Sequence, residues 1–282
     1  ALPISGGTVD GVVIGGGHSK IGQGASGNMS ADVEGQASIQ MTGGTVHGVI
    51  GGGLSYAYDK TGEFVSTSAV GSSAVSISGN STVEAIKYLA LEDEVKISAA
   101  VVGGGVSWNK KNSETTTLTS TSDTSSVVID GATINADVVG GGYAYGSGSE
   151  TAVKSAALTI SNAELGSSDK EVNVYAGGIA SDNAESSSVE SAQLQITATK
   201  VSGSVYTGGY GDKSSVGTSS AALTDTTVSG ELNLDGSDKT SIVFTGVNSV
   251  GSVTGTAQSY AFNAADEQTA AVLTVKEEAI DL

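Results

Sequence analysis

The stretch 43–53, GGTVHGVIGGG, is written again with small edits along most of this chain, and that repetition constrains the fold more than any other feature. Take the apolar residue of its TV pair as an anchor. The positions seven and five residues earlier are then apolar as well. Val46 follows Ile39 and Met41, Val9 follows Leu2 and Ile4, and Ile134 follows Val127 and Ile129. Leu165 follows Leu158 and Ile160, Val201 follows Leu194 and Ile196, and Val228 follows Ala221 and Leu223. Val83 follows Val75 and Ile77 one residue out of step. Apolar residues at i and i+2 mark short strands with one face turned inward.

After most anchors come a second apolar pair and a glycine cluster: 15–17, 51–53, 103–105, 140–142, 177–178 and 208–209. Subtracting their first residues gives intervals of 36, 52, 37, 37 and 31. A unit of this length cannot bury its apolar face alone, so periodicity of this kind signals stacked repeats. Glycine suits sharp turns that need positive φ, and it leaves room for backbone beside backbone. The simplest object with these properties is an all-β fold, a parallel β-helix of about seven coils with protruding loops. Like positions would stack at about 4.8 Å per coil. Val9, Val46, Val83, Ile134, Val201 and Val228 would then share one interior ladder. Residues 1–255 form the repeat domain in this view, and 256–282 capping strands or a tail, with 260–262 and 271–275 read as closing strands.

Between the clusters and the next apolar pairs, 19–35 and 59–73 are expected as loops. Residues 109–126 and 181–188 are expected as displayed loops as well, with the Thr/Ser tract 115–126 a solvated one. Residues 84–96, EAIKYLALEDEVK, contain helix formers and few glycines, which predicts a short helical or irregular excursion. Residues 143–155 are expected to project as a hairpin.

Composition narrows the function. The net charge is −18 and the chain has no arginine, so phosphate-rich partners such as nucleic acid are disfavoured. An anionic membrane surface is disfavoured on the same ground, and no apolar run approaches the ~20 residues of a membrane span. Without cysteine there are no disulfides or thiolate metal sites. Regular aliphatic pairs argue against disorder. The start ALPIS, without Met or signal peptide, is expected of a processed, exported chain.

No catalytic constellation stands out. GQGASG at 22–27 matches GxGxxG, but no helical stripe follows it, as a dinucleotide site needs. His18 and His47 occupy different columns of the repeat, and Asp10 holds the column of His47 one repeat earlier, so a shared metal site is not expected. Residues 208–212, GGYGD, resemble half of a calcium-binding β-roll unit without a second half. Weak Ca2+ binding near Asp235 and Asp238 is the most that follows, and no cofactor is expected. Acidic residues such as Glu63, Glu150, Asp182 and Glu185 are scattered, which fits polysaccharide-cleaving enzymes of β-helical fold poorly. Tyr56, Tyr58, Trp108, Tyr143, Tyr145 and Tyr210 follow glycine clusters in four repeats. They either form an exposed aromatic column for glycans or proteins, or cover the bases of loops.

The repeats GGTVDGVVIGGG, GGTVHGVIGGG, NVYAGG and VSGSVYTGG resemble the glycine-rich repeats of bacterial surface proteins, notably parallel β-helix passenger domains of autotransporter adhesins. The resemblance covers about 1–230 and is one of repeat style. It implies export, display at the cell surface and roles in adhesion, aggregation or biofilm. The expected partners are surface glycans or proteins of host or neighbouring cells, or copies of the chain itself. The function expected is that of a non-enzymatic adhesin or scaffold. The alternatives are a self-assembling subunit of a fibre or surface layer, and a polysaccharide-acting enzyme.

Overall fold

The inward pairs lie on long strands: Leu2–Val9, Val33–Val46, Phe64–Val83, Thr116–Asp130, Ser149–Ser161, Ser186–Thr197, Ser214–Thr224, Lys239–Thr245 and Ser259–Asn263. Each pairs in parallel with the next in chain order. This is seen in a computed structural model that describes residues 2–22, 27–57, 63–90, 93–110, 116–181, 183–265 and 270–276. The described chain is all-β, with parallel pairing throughout its two large sheets and no helix among these residues.

The anchors pair in an unbroken series from Val9 through Val46, Val83, Ile134, Leu165, Val201, Val228 and Val250 to Val275. From Val46 to Val250 they are buried in one core. Val9, at the edge of the stack, is 39% exposed. Each fully buried aliphatic side chain of this kind contributes about 1.5–3 kcal/mol. The out-of-step anchor is absorbed by a bulge: Met41 pairs with Ile77 and Gly43 with Asn80, so one strand spends an extra residue, and Gly79 takes a φ of 63° there.

A second column of short strands runs beside the first: Val13–Ile14, Val49–Ile50, Ala99–Val102, Asp137–Val139, Val174–Tyr175 and Val205–Tyr206, also parallel and in register. Successive strand residues point to opposite faces. Val49, Val101, Val138, Val174 and Val205 therefore enter the main core, while Ile50, Val102, Val139 and Tyr175 enter a second apolar cluster on the other side. A third column follows: His18–Ile21, Leu54–Ala57, Val106–Asn109, Tyr143–Tyr145 and Ile179–Ser181.

The glycine clusters join the second column to the third. Gly52 N donates to Gly104 O at 2.7 Å, Gly104 N to Gly141 O at 2.9 Å, and Gly141 N to Gly177 O at 2.9 Å. A Cβ on Gly104 would stand 2.9 Å from Gly141 O and 2.7 Å from Val153 Cγ2. No glycine of the six clusters lies at positive φ. Of the two reasons for glycine, close backbone approach is the one that applies.

Several expected loops are strand. The long strands begin well before the apolar pairs and take in 64–73, 116–126 and 186–188, and Val33–Val46 takes in the end of 19–35. In the Thr/Ser tract Leu118, Ser120, Ser122 and Ser125 are buried, the inward set of an alternating strand. The inward hydroxyls reach glycine carbonyls of the third-column side: Ser68 Oγ to Gly17 O at 3.0 Å, Ser120 Oγ to Gly53 O at 3.0 Å, and Ser214 Oγ to Gly178 O at 2.8 Å. A polar seam thus runs beside the aliphatic core along this half of the long strands: Thr151, in register with Ser120, takes the same place against Gly142, while Val70, Val153, Val189 and Val216 lie against Gly16, Gly104, Gly141 and Gly177. The described residues of 84–96 form no helix. They leave the columns as an antiparallel hairpin, Lys87–Ala90 with Asp93–Lys96. Tyr143–Tyr145 and Ser149–Ser161 do not pair with each other; each continues its own parallel column, joined by a turn in which Ser149 N donates to Gly146 O at 3.1 Å. In the tail, Ser259–Asn263 and Val272–Val275 extend the stack.

Candidate functional site

The second and third columns meet at an angle on the side away from the main core, and aromatic rings fill that angle. One register position of the third column runs Lys20, Tyr56, Trp108, Tyr145, Ser181. Trp108 and Tyr145 stack with centroids 4.0 Å apart and planes 8° apart. At the head of the series Lys20 Nζ lies 5.9 Å from the Tyr56 ring centroid.

Tyr56, Trp108 and Tyr143 are buried, so they do not make an exposed column. The reason is the neighbouring second column: Ile50, Val102 and Val139 project into the same angle. Ile86 and Ile97, at the base of the inserted hairpin, pack there too. Trp108 Nε1 has no hydrogen-bond partner among the described residues. Tyr58 lies outside the described residues. Tyr145 is half-buried and Tyr210 is 48% exposed.

Two rings that the glycine-cluster pattern does not single out complete the site. Tyr175 and Tyr206 sit in the second column, in register with Val139 and Val102. Their positions were recoverable as the residue before each cluster's first turn, in NVYAGG and SVYTGG. Tyr175 and Tyr206 stack at 4.7 Å. Tyr210, on the third column through its bridge to Ile179, lies 5.5 Å from Tyr175 at 55° and 5.3 Å from Tyr206 at 70°. Rings from both columns therefore close on one another, and Tyr210 forms the outer wall.

Carboxylates flank this cluster. Burial pushes the Asp137 carboxyl up from its ordinary range, hydrogen bonds with Asn173 pull it back in part, and Glu171 adds to the rise. Asn173 N donates to Asp137 Oδ1 at 2.8 Å. Burial also raises the Tyr175 hydroxyl strongly, with Asp137 and the phenols of Tyr206, Tyr210 and Tyr143 adding to it. Tyr206 is raised by burial, then by Glu231 and Tyr210. Glu231 Oε1 accepts from Asn233 Nδ2 at 2.8 Å and also from Thr254 Oγ1.

The histidines lie apart from this site or at its edge. His47 Nε2 is 3.9 Å from Asp10 Oδ1, the residue one repeat earlier in its column. His18 is in register with Leu54, and burial followed by Lys20 lowers its pKa. Among the described residues no three His, Cys, Asp or Glu side chains group as metal ligands. Asp235 and Asp238 are exposed in a turn. No helix among those residues is long and apolar enough to cross a membrane. No protein-family model, curated protein or solved structure matches this chain.

Proposed function

We propose that the chain is a closed parallel β-solenoid that works as a non-enzymatic scaffold or adhesin displayed outside a bacterial cell. The observation that carries this is the in-register anchor series from Val9 to Val275, with its interior members in one core. Such a stack is stiff, since every rung is held by two neighbours, and it places chemically similar groups at regular intervals. Closure of the coils is supported by the hydroxyl seam, in which Ser68, Ser120 and Ser214 reach back to a glycine turn that lies two long strands earlier. The exposed turns are those near 167–171 and 235–238, and the contact surface includes the outer rings at Tyr145, Tyr206 and Tyr210. Contacts that are weak singly add through multivalency on such a frame.

Polymer beads coated with the chain test this reading. They should attach to bacterial or epithelial cell layers several-fold more than albumin-coated beads, and free chain in excess should compete. Attachment equal to that of albumin would overturn the adhesin role, and release of reducing sugar from acidic polysaccharides would move the protein to the enzymes.

A further inference from the structure

We infer that a hydroxyl-lined recess on the last long strands binds one acidic sugar residue, a pyranose ring carrying a carboxylate. The first ground is shape. Ser186–Thr197 and Ser214–Thr224 pair from Ser187 and Ser214 onward, whereas Lys239–Thr245 begins only opposite Thr218, and Ser259–Asn263 only opposite Ser241. Successive rungs therefore start further in, and along this staircase lies a recess of about 250 Å³. Pockets for drug-sized ligands run to about 300–1,000 Å³, so this one takes a single ring and not a chain.

The second ground is the lining. Ser219 and Thr240 are buried, and their hydroxyls donate to Thr207 O and Leu234 O. Alternation then turns Thr218, Ser220, Lys239 and Ser241 outward, and Gln258 and Ser259 complete the recess. Thr218 Oγ1 and Ser241 Oγ have carbonyls only at 3.5 Å, too far to hold these hydroxyls firmly. Hydroxyls and the Gln258 amide both donate and accept, which is what the ring hydroxyls of a sugar need. A bare phosphate only accepts and would leave the accepting side of this lining idle. The third ground is charge. The chain has 30 Asp and Glu against 12 Lys, yet the recess holds one ammonium, Lys239, and no carboxylate. Asp238, the neighbour of Lys239 in the chain, lies outside the lining. One cation among neutral hydroxyls matches a ligand with one negative charge and several hydroxyls. An ammonium–carboxylate hydrogen bond is roughly twice as strong as a neutral one, and repulsion from distant acids is screened beyond about 8 Å at physiological salt.

The test is a titration of the whole chain, with backbone amide resonances followed by NMR. The probes are methyl glucuronide, the neutral methyl glucoside and acetate. Methyl glucuronide should shift the amides of 218–220, 239–241 and 258–259 with affinity on the order of millimolar, about ten-fold more tightly than methyl glucoside. Acetate at the same concentrations should leave them unmoved. Lys239→Met should bring the two sugars within about two-fold of each other, and Lys239→Arg should keep the preference. Lys213→Met removes an exposed charge outside the recess and should change neither affinity. Ser220→Trp should fill the recess and abolish both. A melting curve shared with the parent chain shows that each variant is folded. Equal binding of the two sugars by the parent, an unchanged preference in Lys239→Met, the same shifts with acetate, or no shift at all would overturn the site. The recess stands on its own lining and goes beyond the adhesin reading, so failed bead attachment with intact glucuronide binding rejects only the adhesin role.

Discussion

Ala198 is the clearest case of a residue held against its preference. It takes a φ of 47° at the corner where Asn162, Asp225, Gly131 and Gly246 sit in neighbouring rungs, also left-handed. An alanine there carries a steric cost that glycine avoids. Ala198→Gly should therefore stabilise the protein by about 0.5–1 kcal/mol in urea unfolding, net of the extra freedom glycine gains when unfolded. Gly104→Ala should do the reverse: its Cβ has no room beside Gly141 O, and a loss of about 3 kcal/mol or more is expected. Asp137 supplies a pH test. Its folded carboxyl titrates above the ordinary value, so the protonated form favours the fold and stability is lost as pH rises through that raised pKa. Asp137→Asn keeps an acceptor for Asn173 N and removes the charge. It should be more stable than the parent at pH 7, with the gap closing toward pH 3; a constant gap would place the effect elsewhere.

At the scale of elements, the strands that were plain in the sequence are those whose inward residues differ sharply in hydropathy from their neighbours, as at Ile39–Met41 or Leu194–Ile196. The first halves of the long strands were not legible. Ser120 and Ser122 face inward while Thr119 and Thr121 do not, and hydropathy scarcely separates them. What buries these serines is a set of carbonyls far away in the chain, as Gly53 is for Ser120. Residues 84–96 misled for a related reason: local helix propensity lost to docking of Ile86 and Ile97 against Leu54 and Trp108. Aromatics after the clusters were visible, but their burial was not, since it depends on the second column sharing their angle. The repeat pattern does not mark Tyr175 and Tyr206, because aliphatic residues hold the same register position in earlier repeats. The hairpin's docking is testable through Trp108, the chain's single tryptophan. Ile97→Ala should cost about 2–4 kcal/mol and shift the Trp108 emission to the red. An unchanged spectrum would mean that the hairpin base does not shield the indole.

For the whole molecule, charge and stacking pull in opposite directions. With a formal net charge of −18, the folded chain confines its own repulsion. Raising NaCl from 0.01 to 1 M shortens the screening length from ~30 to ~3 Å, so the melting temperature should rise across that range. A fall would mean that specific ion pairs, such as Lys154 Nζ to Asp123 Oδ1 at 2.6 Å, outweigh the general repulsion.

The stacking itself can be measured on one outward row of the long strands: Gln40, Ser76, Val128, Thr159, Gln195, Ala222 and Val243 pair successively in register. The chain has no cysteine, so paired cysteines can carry spin labels at chosen members of this row. Labels at Gln40 and Gln195 are four rungs apart and those at Gln40 and Val243 six. At about 4.8 Å per rung, pulsed dipolar spectroscopy should give narrow distributions near ~19 and ~29 Å. Broad distributions, or a Gln40 to Val243 separation no longer than that from Gln40 to Gln195, would contradict the stacked repeat.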